Sequence, residues 1–173
     1  MTSSVSEPNI KIRLRALEPE DLDLLYIIEN DPTIWDVGIA PTYYSRYLLK
    51  QYIASSANDI HVDGQLRLVA EYDDQAIGLV DLTGYDSYSE RAEIGMVILP
   101  QYRGKKLSTP TLISLIEYAR HLHLHQLWAT VTDGNDAATA MIRKVGFRTT
   151  GHLIDWVRIG QDYKNASFWQ LTL

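Results

Sequence analysis

A cationic, glycine-containing loop between a strand and a helix is the segment of this sequence best suited to bind a phosphate. The loop follows the apolar run 94–100 and carries three basic residues around one glycine: Arg103, Gly104, Lys105 and Lys106. The helical pattern that starts next presents unpaired N–H groups and a partial positive charge at its first turn, and a glycine lets a ligand approach the backbone closely. The spacing therefore predicts an anion site, with a solvated basic turn as the open alternative.

Two carboxylates stand inside apolar strand patterns. Glu93 lies between Ala92 and Ile94, and Asp81 is flanked by apolar residues in the preceding strand pattern. An ionised carboxylate in such a position is costly unless a cation or water stabilises it. Two interpretations of Glu93 stay open: a glutamate paired with Arg91 or another cation, or a general base whose partial burial raises its pKa.

Three histidines at positions 121, 123 and 125 are the only cluster that suggests a metal. A two-residue spacing places them on different sides of a helix, and the sequence has no H-E-x-x-H motif. There is also no cysteine, which excludes disulfides, thiolate metal sites and a cysteine nucleophile. We therefore expect no metal.

Length and composition limit the function further. A chain of 173 residues and 19.7 kDa fits one domain, and 46% hydrophobic with 22% charged residues is typical of a globular protein. A formal charge of −6 argues against a duplex nucleic acid as partner. No segment reaches the roughly 20 apolar residues of a membrane span, and the polar N-terminal segment has no leader pattern, so we expect no membrane contact and a cytoplasmic location.

Hydrophobic periodicity supplies the elements that must position these residues. The predicted strands cover residues 10–17, 66–72, 76–83, 92–99, 127–132, 148–159 and 163–173. Four helices are predicted, from Pro19 to an end near residues 30–32, from Ser45, over 109–121 and from residue 135 or 136 to Gly146. Residues 1–9 are predicted to be a flexible tail. The order predicts one α/β domain over 10–173, with a mixed sheet covered by helices.

Three motifs, in order, resemble the GCN5-related N-acetyltransferase (GNAT) superfamily. The Q-Y-R-G-K loop at 101–105 is similar to the family's Q/R-x-x-G-x-G/A loop, and Asn135 with K-V-G-F at 144–147 is similar to its N-x₈-K-L-G-F segment. The segments 151–156 and 163–165 resemble the subgroup that acetylates ribosomal-protein N-termini and polyamines. The resemblance implies a single α/β (α+β) domain: a mixed, mostly antiparallel twisted sheet with a splayed parallel strand pair, flanked by about four helices.

The resemblance also implies acetyl-CoA as co-substrate. Backbone groups of Val97 and Ile98 are then expected to pair with the pantetheine arm, and Asn135 to lie near its far side. The pyrophosphate is expected on the loop and the first helical turn, which comprise Arg103, Gly104, Lys105, Lys106, Leu107, Ser108 and Thr109. Lys106 departs from the motif because it replaces the family's second small residue.

The catalytic role that the resemblance implies for Glu93 is that of a general base for direct attack by a primary amine, in a ternary complex. The acceptor is a polyamine, a diamine or a peptide N-terminus, and the expected acceptor residues are Asp81, Tyr85 and Trp35. Asp86 is either a further cation ligand or a turn residue. Four tyrosines, which either line the acceptor site or pack in the core, lie nearby: Tyr43, Tyr44, Tyr47 and Tyr52.

The family's general acid is missing from this sequence. Ile142 occupies the usual tyrosine position, and the serine that some relatives use falls on Ala138. This keeps a non-catalytic acyl-CoA-binding or regulatory module open as an alternative, and an amino-sugar acetyltransferase as another. The expected partner is a small-molecule or peptide amine, and both a monomer and a homo-oligomer remain open.

Overall fold

A seven-stranded sheet with helices on both faces forms the protein. The computed structural model describes residues 10–35 and 42–173, so the predicted tail 1–9 lies outside the described residues. The strands are β1 (Arg13–Ala16), β2 (Leu66–Tyr72), β3 (Gln75–Asp86), β4 (Arg91–Ile98), β5 (Gln126–Thr132), β6 (Arg148–Ile159) and β7 (Asp162–Thr172). Their spatial order is β1-β2-β3-β4-β5-β7-β6. Among these described strands, β4 and β5 form the one parallel pair, which confirms the predicted mixed, mostly antiparallel sheet.

The described α-helices are α1 (Leu22–Glu29), α2 (Pro32–Trp35), α3 (Arg46–Ser55), α4 (Ile60–Asp63), α5 (Ser108–His121) and α6 (Asp136–Lys144), with short 3₁₀-helices at Pro19–Asp21 and Pro100–Tyr102. The four longer ones are the predicted helices. Side-chain caps determine where α3 and α6 start: the Ser45 side chain accepts from the Leu48 N–H at 3.1 Å, and the Asn135 side chain accepts from the Ala138 N–H at 3.1 Å. The sequence analysis missed α2 and α4 because one helical turn carries no periodicity. None of the described helices is long and apolar enough to span a bilayer.

The two faces of the sheet carry different cores. On one face, α5 and α6 pack on a cluster that includes Ala92 and Leu127. On the other face, α1 and α3 pack on a cluster that includes Val69 and Leu79. Side chains alternate between the two faces along a strand, so the neighbours of Ala92 and Leu127 project toward the α1 and α3 side.

Ion pairs fasten the N-terminal strand to the sheet. Glu71 on β2 accepts from Arg15 Nε at 2.5 Å and from Arg13 Nε at 2.8 Å, and Arg15 also binds Asp21 through two hydrogen bonds of 2.6 and 2.9 Å. The hydrogen bond from Arg15 is the largest cause of a lowered pKa at Glu71; burial opposes it, and Arg13 adds to it. Since Glu71 and Asp21 are both buried, their pairing with arginine is needed to keep them charged.

We predict that Glu71→Gln destabilises the fold by about 2 kcal/mol at neutral pH, because it removes two charge-assisted hydrogen bonds. A lowered pKa in the folded state contributes stability above the ordinary carboxyl pKa of about 4.3, and this contribution is lost as the pH falls through the folded-state value. The difference between the variant and the parent should therefore shrink below about pH 4. Urea unfolding between pH 3 and 7 measures it, and a constant difference would contradict the prediction.

Candidate active site

The parallel strands β4 and β5 separate soon after they pair. Their register includes only three pairs, of which the last joins Glu93 to Trp128, while β4 continues to Ile98 and β5 to Thr132. Beyond that pair, the edges that face each other hold backbone groups without a ladder partner. Such groups need water or a ligand, so the gap is a place for an extended polar chain to bind.

The backbone of β4 directs alternate residues into this gap. The Val97 carbonyl faces β3, since a Cβ at Gly78 of β3 would lie 2.0 Å from its oxygen. Consecutive residues of a strand direct their backbone groups to opposite edges, which leaves Met96 and Ile98 facing the gap. The Ile98 carbonyl accepts from Arg103 Nε at 2.9 Å, and this bond ties the cationic loop to the end of β4. The backbone groups of Val97 therefore face β3, and those of its neighbours Met96 and Ile98 face the gap.

The backbone of the cationic loop is accessible to a ligand. Gly104 has φ +74°, and a Cβ there would meet nothing within 4 Å. Lys106 has φ +61°, so the lysine keeps the left-handed conformation that a small residue adopts more easily. The Lys105 ammonium lies 5.2 Å from the centre of the Tyr102 ring. Exposed basic side chains thus surround a short stretch of accessible backbone.

The first turn of α5 adds N–H groups to this loop. Leu107 precedes the helix without a side-chain cap, so the amides of Ser108 and Thr109 have no side-chain acceptor from that position. The Leu107 side chain is buried in the core, which leaves only its backbone for a ligand. The predicted anion site thus consists mainly of backbone N–H groups and basic side chains.

The residues of α6 play structural roles. The Asn135 side chain caps the helix through its carbonyl oxygen, which leaves its amide NH₂ as the group free to reach a ligand. Ile142 is buried in the core on the α5 side, and Ala138 packs against the same cluster. Neither position of the family's acid therefore carries a proton donor.

Glu93 lies at the point where the gap opens. It is half-buried on the α1 and α3 face, and its carboxylate makes no hydrogen bond or ion pair with any described residue. The pairing with Arg91, kept open above, does not form, because Arg91 pairs with Asp86 at 3.1 Å. Burial alone raises the pKa of the Glu93 carboxyl. A raised pKa and a lack of partners in the described part of the chain suit this carboxylate to accept a proton from a substrate.

A cavity of about 330 Å³ lies between the sheet and α1 and α3. It is lined by Glu29, Tyr44, Leu48, Leu49, Tyr52, Gln65, Leu66, Arg67, Asp81 and Thr83. Thr83 is the β3 neighbour of Glu93, and Asp81 is the β3 neighbour of Gly95. Since Gly95 has no side chain, no β4 side chain separates Asp81 from the edge of the gap.

The charges in this cavity sum to an excess of one negative. Arg67 donates to Asp81 Oδ1 at 2.6 Å and also forms an ion pair with Glu29. Burial opposes the charge of Arg67, but the two carboxylates raise the pKa of its guanidinium above the ordinary value. Two carboxylates and one guanidinium leave the cavity negative, and ionised Glu93 adds a further negative charge. A cationic group fits such a site electrostatically.

The structure brings only some of the predicted acceptor residues together. Asp81 lines the cavity but is already paired with Arg67. Tyr85 packs on the α5 side of the sheet, where its hydroxyl lies 3.1 Å from His61 Nδ1, away from the Glu93 face. The side chain of Trp35 lies outside the described part of the chain, and only its backbone in α2 is described.

The remaining candidates divide between cavity and surface. Tyr44 and Tyr52 line the cavity, whereas Tyr43 and Tyr47 are exposed. Asp86 accepts from two N–H groups of the β3–β4 turn, which is the turn role kept open above.

Of the three histidines that suggested a metal site, His121 binds the Glu117 carbonyl at 2.7 Å at the end of α5. Within the described residues, no three potential ligands come together around one point.

Sequence reasoning missed Arg67 and Trp128. Arg67 appeared as a charged residue in a strand pattern, and only the pairing of β2 with β3 places it beside Asp81. Trp128 lay within a predicted strand. Thr130 and Thr132 share its face of β5, and the large tryptophan beside them was a signal that this face contacts other side chains as well as water. Both roles depend on contacts between residues distant in sequence.

Comparisons with known proteins agree with this geometry. Residues 11–148 match the model of the acetyltransferase (GNAT) domain family. Spermidine N(1)-acetyltransferase of Escherichia coli K12 is 30% identical over 156 residues, which cover 90% of this chain and 82% of the relative. A putative ribosomal N-acetyltransferase of Bacillus subtilis 168, YdaF, is 27% identical over 94% of this chain and 92% of its own length.

A solved structure gives the same result for the fold. The crystal structure of spermidine N-acetyltransferase from Vibrio cholerae, in complex with CoA and spermine, superposes with a TM-score of 0.85. Its sequence is 26% identical, and the match covers 94% of this chain and 95% of the Vibrio chain. With the family model matching most of its length, this chain belongs to the GNAT acetyltransferase family and is an acetyltransferase.

Proposed function

We propose that this enzyme transfers the acetyl group of acetyl-CoA to a primary amine, by direct attack with Glu93 as general base. The observation that carries the proposal is the half-buried Glu93 carboxylate, without a partner among the described residues, at the mouth of the β4–β5 gap. A negative cavity reaches its β3 neighbour Thr83, and beyond the gap lies a cationic loop. This arrangement gives each substrate an entry of complementary charge.

The groups along the gap suit the coenzyme. Backbone groups of Met96 and Ile98 face the gap and can pair with the amides of a pantetheine arm as a strand would. The pyrophosphate matches the open backbone at Gly104 and the first-turn amides of α5, with Arg103 and Lys106 adding charge. A CoA complex of the Vibrio cholerae relative supports this choice of co-substrate.

The proposed reaction begins with a protonated amine in the cavity. Glu93 takes one proton from the ammonium, and the neutral nitrogen attacks the thioester carbonyl. The C–N bond forms, the attacking nitrogen releases its second proton to solvent, and the C–S bond breaks. The CoA thiolate leaves and receives a proton from solvent. N–H groups of β4 that face the gap near Val97 are suited to stabilise the negative charge on the carbonyl oxygen.

The acceptor is proposed to be a polyamine or diamine rather than a peptide. The excess negative charge of Glu29 and Asp81 over Arg67 favours a ligand with a second cationic group. The E. coli and Vibrio relatives, which are spermidine acetyltransferases, support this choice. A peptide N-terminus is the second candidate, supported by the Bacillus relative.

A homo-oligomer is part of the proposal. The β6–β7 hairpin exposes three large apolar or aromatic side chains, Ile154, Trp156 and Tyr163. Exposed apolar patches of this kind commonly mark contact surfaces between chains.

Gly104→Glu should abolish saturable acetyl-CoA binding, because it adds a negative charge and a side chain where the pyrophosphate is expected. Isothermal titration with acetyl-CoA measures the loss. Gly160→Glu is the matched control, since Gly160 also has a positive φ, lies in open space and is far along the chain in the β6–β7 turn. Equal loss in both variants, or undiminished binding by Gly104→Glu, would rule out this loop as the coenzyme site.

Glu93→Gln should lower kcat at neutral pH by about 10²–10⁴-fold, since an amide cannot accept the ammonium proton. Partial recovery is expected at high pH, where more of the amine is already neutral. A continuous assay of free CoA thiol measures the rate, with the exposed Glu117→Gln as control. Unchanged rates in Glu93→Gln would remove Glu93 from the mechanism. Coenzyme binding by the parent chain without amine-stimulated thiol release would instead indicate a non-catalytic module.

An acceptor panel separates the two proposed substrate classes. We expect kcat/KM for a polyamine or diamine to exceed that for a neutral-chain peptide amine by at least about fivefold, the effect of one solvent-screened ion pair of about 1 kcal/mol. Added salt should reduce the polyamine rate more than the peptide rate. Preference for the peptide, or for an amino-sugar, would overturn the assignment.

A further inference from the structure

We propose that Trp128 is a positioning residue for the base, whose indole ring excludes water from one side of the Glu93 carboxylate and so sets the pH range in which Glu93 accepts a proton. This inference rests on the proposed function, because it concerns the residue assigned there as the general base. It adds a residue that the sequence motifs do not identify.

The register places the two side chains next to each other. Glu93 and Trp128 form the last of the three pairs between β4 and β5. The pair before it, Ala92 and Leu127, is buried in the core on the α5 side. Because side chains alternate, Glu93 and Trp128 leave the opposite face as direct neighbours, at the point where the strands separate.

The indole ring is held in a defined orientation. It stacks on Phe168 of β7, with the ring centres 5.3 Å apart and the planes 21° from parallel. Its Cζ2 atom lies 4.0 Å from the position that a Cβ at Gly84 of β3 would occupy. Since β4 runs between β3 and β5, a ring that starts on β5 and reaches toward Gly84 passes over β4, beside Glu93.

The other neighbours of Glu93 in the sheet do not exclude water in the same way. Thr83 on β3 is small and polar, and Gly95 on β4 has no side chain. On the far side of Trp128, the next residue in the row is Gln170 of β7. Trp128 is therefore the one large apolar side chain among the direct sheet neighbours of Glu93.

Apart from Glu93, the charged groups of β3, β4 and the neighbouring β2 and α1 on this face pair with one another, and Arg148 of β6 lies beyond Trp128 and Gln170 in the same row. Along β4 and across to β3, Arg91 pairs with Asp86. Beyond Thr83, Arg67 of β2 pairs with Asp81 of β3 and with Glu29 of α1. Burial is the cause that raises the pKa of Glu93, with no contribution from a neighbouring charge. An apolar ring that displaces water from a carboxylate has this effect, because the ionised form loses more solvation than the neutral form.

Trp128→Thr tests the proposal, because threonine suits a strand but admits water beside Glu93. The titration midpoint of the Glu93 carboxyl should fall by about one pH unit. Carbon-13 NMR of protein labelled at the glutamate side-chain carboxyl measures it, and the signal missing in Glu93→Gln identifies the residue. Trp128→Phe should retain most of the parent midpoint, and Tyr88→Leu, which removes a fully exposed aromatic ring, should leave it unchanged.

The kinetic readout should move in the same direction. In Trp128→Thr, the acidic limb of the pH profile of kcat/KM shifts to lower pH, and the plateau falls several-fold because the base is weaker. Phe168→Leu, which frees the ring without removing it, should give a smaller shift of the same sign. If Trp128→Thr does not fold, this milder variant decides the question.

The outcomes separate this inference from the proposed function. An unchanged Glu93 midpoint in the folded Trp128 variant, or an equal shift in Tyr88→Leu, overturns the role of Trp128. The NMR titration does not depend on turnover. A shifted midpoint together with full activity of Glu93→Gln would therefore support the shielding by Trp128 while removing Glu93 as the base.

Discussion

The separation of β4 from β5 is the constraint on which the rest of the structure depends. Two parallel strands that pair over three residues and then diverge leave unpaired backbone groups inside the sheet, a cost that folding tolerates only where water or a ligand can satisfy them. The loop after β4 and the first turn of α5 stand at the far end of this opening, with Arg103 bonded to the Ile98 carbonyl. Glu93 stands at its near end. The point where β4 and β5 stop pairing thus determines the distance between the predicted anion site and the candidate base.

The alternation of side chains lets the same strands serve both stability and chemistry. Ala92 and Leu127 are completely buried under α5, while their neighbours Glu93 and Trp128 project to the opposite face. On that face α1 and α3 cover β2 and β3, and the cavity with Arg67 lies beneath them. A shift of register by one residue would move the carboxylate into the apolar core, so the packing under α5 also secures the site.

Local patterns predicted much of this molecule. Leu66–Tyr72 and Arg148–Ile159 occupy the predicted ranges, because alternation and turn residues determine strands locally. Gln75–Asp86 extends beyond its prediction, since the irregularity between Thr83 and Asp86 interrupts the alternation. Residue patterns and the family resemblance together predicted the loop and Glu93 as site residues, and these roles stay predictions. The cavity charges and the place of Trp128 follow from strand pairing across long sequence distances, as does the position of Tyr85 on the other face, so no local pattern in the sequence could predict them.

The proposed reaction needs a base for the amine more than it needs an acid for the departing thiolate, so the lack of the family's acid is compatible with Glu93 as base. Ile142 is buried in the core, so no side chain at that position protonates the departing thiolate. A thiol has an ordinary pKa of about 8.5, which makes its thiolate a tolerable leaving group near neutral pH. An alkyl ammonium has a pKa of about 10.4, so almost none of the amine is nucleophilic without a base. Deprotonation of the amine is therefore the more demanding proton transfer, and the half-buried Glu93 is the group proposed to perform it.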